Sequence, residues 1–343
     1  MADLPPDTSI TDIVRDPRWF AYHFDPSHDA VQFRHILRPA HARATFLTDE
    51  YLGAGDIVAI RRGDVEAAPI AAAGSAPLHF IFHSAFCCST MLARAFDLPG
   101  LAMGLKEPMI LQDLIGWQHR GARPVQIAPV LETVLDLLAR PFTLGESIVV
   151  KPSNITNSLA PAILTMRPEA RALLLYAPLR VYLGSIARKG MTGRLWVRDL
   201  LVKQLQEGLH GFGFNATDYL GQTDLQVAAM GWLAQHALFM RMAADFGPRV
   251  VALDSETLVA APVVAMTGIA AHFGVDCDVE AIVAGPAFTR HSKSDVGFSA
   301  VDRSAATASE ASHADEIDKV AIWTEAVAKA AGVSLVLPGR LAR

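Results

Sequence analysis

The sequence predicts an α/β fold: a parallel β-sheet flanked by helices, with additions at both ends of the chain. Two observations carry this. Five short apolar runs alternate with helix-patterned segments, as buried parallel strands and their crossovers do. Polar residues gather just after those runs: Ser89 and Thr90, Lys106 and Glu107, then Lys151, Ser153 and Asn154. Ligands of open parallel sheets bind at the C-terminal ends of strands, so this convergence marks a candidate active site.

Composition agrees with a large packed core. The chain has 343 residues, 51% of them hydrophobic, which excludes global disorder. A net charge of −5 leaves no broad basic surface, so duplex nucleic acid is not an expected partner. The three cysteines, Cys87, Cys88 and Cys277, make neither a disulfide framework nor a zinc pattern. They fit a reducing compartment. The first residues lack a basic segment followed by an apolar run, and no apolar stretch approaches the ~20 residues of a membrane span. A cytoplasmic protein without a membrane span is expected.

Taken in order, residues 1–70 read as an N-terminal extension packing on the core. Asp16-Pro17 and Asp25-Pro26 mark turns, and Phe46-Leu47 and Tyr51-Leu52 are its expected anchors. The histidines of His28–Ala44 match no metal spacing. Residues 71–299 form the α/β core. Its predicted strands are Leu78–Phe82, Leu101–Leu105, Ser147–Val150, Arg171–Tyr176 and Arg249–Leu253. Between them lie helical patterns: Ile127, Val130, Leu131, Val134, Leu137 and Leu138 on one face, then Leu159–Met166, Val181–Ala187 and Leu225–Phe246. Val263–Phe273 closes the core as a helix capped near Gly274. Residues 300–343 are expected as a flexible segment, mobile or extended over Ala300–Ala314 and rich in Ala and Ser, followed by a terminal helix over Ile317–Ala331.

The first core strand leads into His83-Ser84-Ala85-Phe86-Cys87-Cys88, then Ser89-Thr90 and the helix-like Met91–Phe96. Strand, tight loop, hydroxyl pair and helix make the layout of a phosphate-binding loop, and the fold is accordingly P-loop-like. A helix N-terminus offers unpaired N–H groups and a partial positive charge to an anion. The loop lacks the glycines and lysine of the nucleotide triphosphatases. The plain alternative is Ser89 as a helix cap.

Val250-Val251-Ala252-Leu253-Asp254-Ser255-Glu256-Thr257-Leu258-Val259-Ala260-Ala261-Pro262 resembles the Y-E-D-L-x-x-x-P stretch of sulfotransferases, with His272-Phe273-Gly274 standing where their F-L-G-like end does. The segment Phe82–Phe96 is similar to their R/K-S-G-T-T/S loop for the 5′-phosphosulfate of PAPS (3′-phosphoadenosine 5′-phosphosulfate). Lys151-Pro152 is similar to their lysine-proline region, and His291-Ser292-Lys293 with Arg303 to their late basic segment. The resemblance runs from about Leu78 to Arg303. It implies that Phe86, Cys87, Cys88, Ser89 and Thr90 hold the phosphosulfate, and that Ser185, with Arg180 or Arg188, and Lys293 hold the 3′-phosphate. It departs at three places. Phe86 or Cys87 stands at the loop's basic position, Cys88 at its glycine, and Ala177 at the arginine that pairs with Ser185; Arg180 is the nearest substitute.

Sulfuryl transfer needs in-line attack by a hydroxyl or amine, positive groups around the sulfonate, and a proton acceptor. Lys151 is the expected cation at the bridging oxygen, Lys106 the second candidate, and Glu107 the expected base. No metal is expected. His83 reads as a hydrogen-bonded, semi-buried histidine, with a base as its alternative, and Glu256 reads as structural rather than catalytic. Arg188-Lys189, Arg194 and Arg198 read as a lid over an anion or as a solvated helix end. The sequence leaves open a PAPS-dependent sulfotransferase acting on a small-molecule or carbohydrate acceptor, a degenerate P-loop protein that binds a nucleotide or partner without catalysis, and a kinase-like NTPase. The missing G-K-[ST] argues against the last.

Overall fold

The computed structural model describes residues 8–68, 70, 74–289 and 300–341. The described residues form two sheets. The first is an antiparallel β-meander that the sequence reading did not foresee: β1 (Trp19–Asp25), β2 (Ala30–His35) and β3 (Ile57–Arg61), in the order β1-β2-β3. Trp19, Phe20, Tyr22, Phe24, Val31 and Phe33 are the β-prone residues that favour it.

The second sheet is the expected parallel one. It contains β4 (Leu78–His83), β5 (Ala102–Lys106), β6 (Ser147–Lys151), β7 (Arg171–Tyr176) and β8 (Val250–Asp254), in the order β5-β6-β4-β7-β8. Each lies within a residue or so of its predicted span. Every residue of β4, β5 and β6 is buried, which is why these strands read as mainly apolar without a polar alternate face. Residues 339–341 pair beside β8, where Ala252 N–H donates to the Gly339 carbonyl at 2.9 Å and Leu341 N–H to the Ala252 carbonyl at 3.0 Å.

Internal packing divides the chain into two compact units. One comprises Met1–Phe82, Thr90–Ala172 and Ala270–Asp278; the other comprises His83–Ser89, Leu173–Ile269 and Val279–Arg343. In the first, Phe80, Phe82, Phe96, Leu131 and Val134 lie in the core. Arg140 ties the N-terminal residues to the helix Pro124–Leu138, donating to the carbonyls of Leu137, Ile13, Val14, Asp16 and Trp19. Burial lowers this guanidinium's pKa to about 10. Gly104 on β5 has a particular purpose: a Cβ there would stand 2.1 Å from the Ala93 carbonyl oxygen, so only glycine lets the helix Ser89–Ala95 lie this close to the strand.

In the second unit, Asp224–Phe246 is the central helix, with Trp232 and Phe239 fully buried. Thr223 caps it by accepting the Gln226 N–H. The segment Ala300–Ala314, expected to be mobile or extended, is helical and belongs to the helix Ala300–Ala330. Alanine has the highest helix propensity of the residues, and this outweighs the low-complexity signal. Among the described residues, no helix is long and apolar enough to cross a membrane, and no cluster of His, Cys, Asp or Glu could hold a metal ion.

Candidate functional site

In the first unit, β4, β5 and β6 run parallel, with Phe80 beside Val150 and Lys106 beside Lys151. Their C-terminal ends therefore share one edge. Lys106, Glu107 and Lys151 stand there, and the loop after Phe82 leaves from it.

The loop's backbone carries the strongest signal. Ala85, Phe86 and Cys88 all have positive φ, at 71°, 51° and 64°. Non-glycine residues take this left-handed conformation at a cost of roughly 1–2 kcal/mol each. Three within four positions mark a loop held in a defined shape by its surroundings, and such strain gathers at ligand sites. Turns that alternate into the left-handed region make concavities of N–H groups that suit anions. Ala85, Phe86 and Cys88 thus hold backbone conformations that glycine adopts most easily.

Buried partners hold that shape within the second unit. Ser84 N–H donates to the Leu175 carbonyl at 3.1 Å, and Ser84 Oγ accepts the Ala177 N–H at 3.0 Å. His83 is buried, and its Nδ1 accepts the Ala85 N–H at 3.0 Å. That acceptor role requires Nδ1 without a proton and gives His83 a structural place in the turn, as its position in the sequence suggested. Cys87 is buried and Cys88 exposed, while Ser89 and Thr90 are buried at the start of the helix.

Phe86 is placed by an aromatic cluster that the sequence did not disclose. Its ring lies 5.8 Å from Tyr182 and 5.5 Å from Trp196, with the Lys189 ammonium 5.6 Å from its centroid. Tyr182 is fully buried, and its hydroxyl has no hydrogen-bond partner among the described residues. Desolvation raises its pKa. On the same helix, Leu179–Arg188, Ser185 Oγ accepts from the Arg188 guanidinium at 3.1 Å.

Other expected contacts are differently placed. Ala177 is fully buried, its N–H taken by Ser84 and its carbonyl by the Trp232 indole at 2.9 Å. Arg180 is exposed and paired with Asp318, so it does not stand in for the missing arginine as the structure is arranged. Arg194 and Arg198 do not form a lid. Asp224 lies 2.5 Å from Arg198 and 3.5 Å from Arg194, and the latter also faces Glu316. The opposite charges of neighbouring helices have recruited them. Glu256 is exposed. Asp254, not Glu256, accepts the Thr257 N–H, at 2.8 Å, and so caps the helix Ser255–Ala260. Lys293, with His291 and Ser292, lies outside the described residues.

Among the candidate catalytic residues, Glu107 and Lys151 come together. The Lys151 ammonium is buried, hydrogen-bonded to Glu107 Oε1, and 5.0 Å from the Phe46 ring centroid. Glu107 has a φ of 54°, and its N–H donates to the Lys151 carbonyl at 2.7 Å. Side chain and main chain therefore clasp the same two residues. Asn154, just beyond β6, is buried with its amide nitrogen unpartnered among the described residues, a donor left for a ligand. Lys106 belongs elsewhere. It is fully buried, and its ammonium donates to the carbonyls of His41 at 2.6 Å and Ala42 at 3.1 Å. Desolvation pushes its pKa down to about 8, with Asp97 acting the other way. The ammonium anchors the N-terminal segment.

No family model and no curated protein matches this chain. Among solved structures it is similar to the sulfotransferase domain of the Synechococcus olefin synthase, with 16% identity, 67% of this chain and 83% of that chain covered, and a TM-score of 0.40. It is also similar to a sulfotransferase from Mycobacterium avium, with 14% identity, coverage of 74% and 79%, and a TM-score of 0.41. A sulfotransferase from Alicyclobacillus acidocaldarius aligns at 16% identity, with coverage of 71% and 95% and a TM-score of 0.38.

Proposed function

We propose that this chain is a sulfotransferase that moves a sulfuryl group from PAPS to a hydroxyl or amine of a small-molecule or carbohydrate acceptor. The observation that carries this is the left-handed, glycine-free loop at Ala85, Phe86 and Cys88, opening onto the hydroxyls of Ser89 and Thr90. In this reading the N–H groups of Phe86–Thr90 bind the phosphosulfate, and Ser185 with Arg188 binds the 3′-phosphate. Lys151 stabilises charge on the bridging oxygen as the sulfonate leaves phosphate. The oxygen or nitrogen of the acceptor attacks sulfur, the bond from sulfur to the bridging oxygen breaks, and Glu107 takes the acceptor's proton.

A second reading has its own support. Neither the loop nor Ala177 supplies a cation, which favours a protein that binds the nucleotide without transfer. Thermal shift with adenosine 3′,5′-bisphosphate, against ATP, ADP and inorganic phosphate, separates the cases. At ~100-fold excess over Kd, a specific ligand adds about 2.7 kcal/mol. Stabilisation by the bisphosphate alone, together with transfer of radiolabelled sulfate, supports the enzyme. Binding without transfer supports the second reading, and stabilisation no greater than that by phosphate defeats both.

A further inference from the structure

We infer that a buried cavity between the N-terminal extension and strands β5 and β6 binds one halide-sized monovalent anion, chloride in a physiological buffer, held by the His41 ring and the Arg140 guanidinium. This site stands apart from the sulfuryl-transfer reading and uses different residues.

The cavity lies within the first unit and measures ≈ 10 Å³. That is room for a single water-sized guest and excludes polyatomic anions such as sulfate or phosphate. His41 and Arg140 are the polar side chains of its wall. The others are apolar, Phe20, Leu105, Leu138 and Ile148 among them.

His41 is 1% exposed, and neither ring nitrogen has a hydrogen-bond partner among the described residues. A polar ring buried this deeply ordinarily has one. Phe20 and Phe142 hold the ring edge-on, at centroid distances of 5.0 and 5.7 Å. Backbone carbonyls engage Arg140 at Nε and Nη1, whereas Nη2 meets one carbonyl, that of Trp19 at 2.8 Å. One of the two Nη2 hydrogens is left over.

Charge points the same way. Among the described residues no carboxylate forms an ion pair with Arg140. Asp16 acts on it electrostatically, but its carboxylate is bonded to Arg18. A buried guanidinium without a counter-ion is costly. Lys106 stands on the His41 carbonyl. Desolvation first, then Lys106 and Arg38, lower the His41 pKa to about 3, so the ring is neutral at ordinary pH and lies in a field that favours an anion. Asp97 and Glu146 answer the charge of Arg38.

The donor count separates an anion from water. A water brings two hydrogens, and these side chains offer at most one acceptor, the bare nitrogen of a neutral imidazole. A halide needs donors alone, which Arg140 and the His41 N–H supply. Bound there, it joins the extension to the strands that end beside Glu107 and Lys151, and so acts on stability.

The test compares the full chain in NaCl or NaBr with the same chain in sodium gluconate at equal ionic strength. We expect a saturable rise in Tm in either halide, by about 2 °C at tenfold excess over Kd for a chain of 343 residues, and none in gluconate. His41→Leu should abolish the dependence on halide, and His41→Gln, which keeps a donor, should retain it. Crystals grown in NaBr and measured at the bromine absorption edge should show an anomalous peak in the cavity, bonded to His41 and Arg140; this measurement needs no variant to fold. Equal Tm in halide and gluconate, a halide effect that persists in His41→Leu, or an ordered water without anomalous signal overturns the inference. A peak without a halide-dependent Tm marks an adventitious ion only and overturns it as well.

Discussion

Cys88 stands where the resemblance expects a glycine, and its backbone is left-handed, at φ 64°. Its side chain is exposed, so replacing it by glycine sacrifices little packing. Two opposing quantities set the outcome. Removing the Cβ relieves roughly 1–2 kcal/mol of left-handed strain. The freer unfolded chain of a glycine variant costs about 0.5–1 kcal/mol. Cys88→Gly should therefore stabilise the protein by about 0.5–1 kcal/mol, which for a chain of 343 residues raises Tm by roughly 1 °C. Cys88→Ala keeps the Cβ and should change stability little. Cys88→Val adds a β-branch in a region that disfavours it and should destabilise by about 1 kcal/mol. Urea midpoints followed by circular dichroism, with slopes checked for constancy, give the comparison. The glycine variant should still be stabilised by the bisphosphate, because the loop N–H groups keep their directions. A glycine variant less stable than wild type by 0.5–1 kcal/mol, the usual penalty in ordinary backbone, would refute a left-handed Cys88 and with it the shaped loop on which the functional reading stands.

Three further outcomes are expected. Lys151→Ala should lower sulfate transfer roughly 10²-fold, for a lost interaction of about 3 kcal/mol, with a smaller loss of bisphosphate affinity. Glu107→Gln should keep bisphosphate binding and remove the acid limb of the rate profile, and radiolabelled transfer surviving in both variants would move the chemistry to other residues. For Lys106, the unfolded chain keeps the proton up to about pH 10.5, while the folded chain releases it near 8. Between these values the unfolded state binds more protons, so the Lys106 contribution rises with pH, by up to about 3 kcal/mol, and its full cost is present below pH 8. The stability difference between wild type and Lys106→Met should follow that rise in urea titrations across pH 7–10.5; a flat difference would show that the lysine is not desolvated.

The parallel sheet was legible because its strands are buried on both faces. Phe80-Ile81-Phe82 and Ile148-Val149-Val150 are unbroken apolar runs whatever their neighbours. The antiparallel sheet was missed because β1 and β2 mix aromatic, charged and polar residues, and their pairing depends on partners rather than on a local pattern. The strand, tight loop and helix of Leu78–Phe96 were legible in outline, whereas the left-handed residues of the loop were not, since nothing in Ala85, Phe86 or Cys88 requires positive φ.

The sequence by itself thus determined the α/β class, the central strand and loop, and the strand ends where Glu107 and Lys151 stand, because burial periodicity and chain order are local properties. Tertiary structure alone decided which charges meet. Lys106 and Lys151 each follow an apolar strand and look equivalent in sequence. One is bonded to the carbonyls of His41 and Ala42, and the other is paired with Glu107 beneath Phe46. Arg180 and Arg198 were likewise drawn to Asp318 and Asp224, far along the chain. A buried or half-buried charge takes the partner that packing brings within a few ångströms, and that proximity follows from how distant segments fold together.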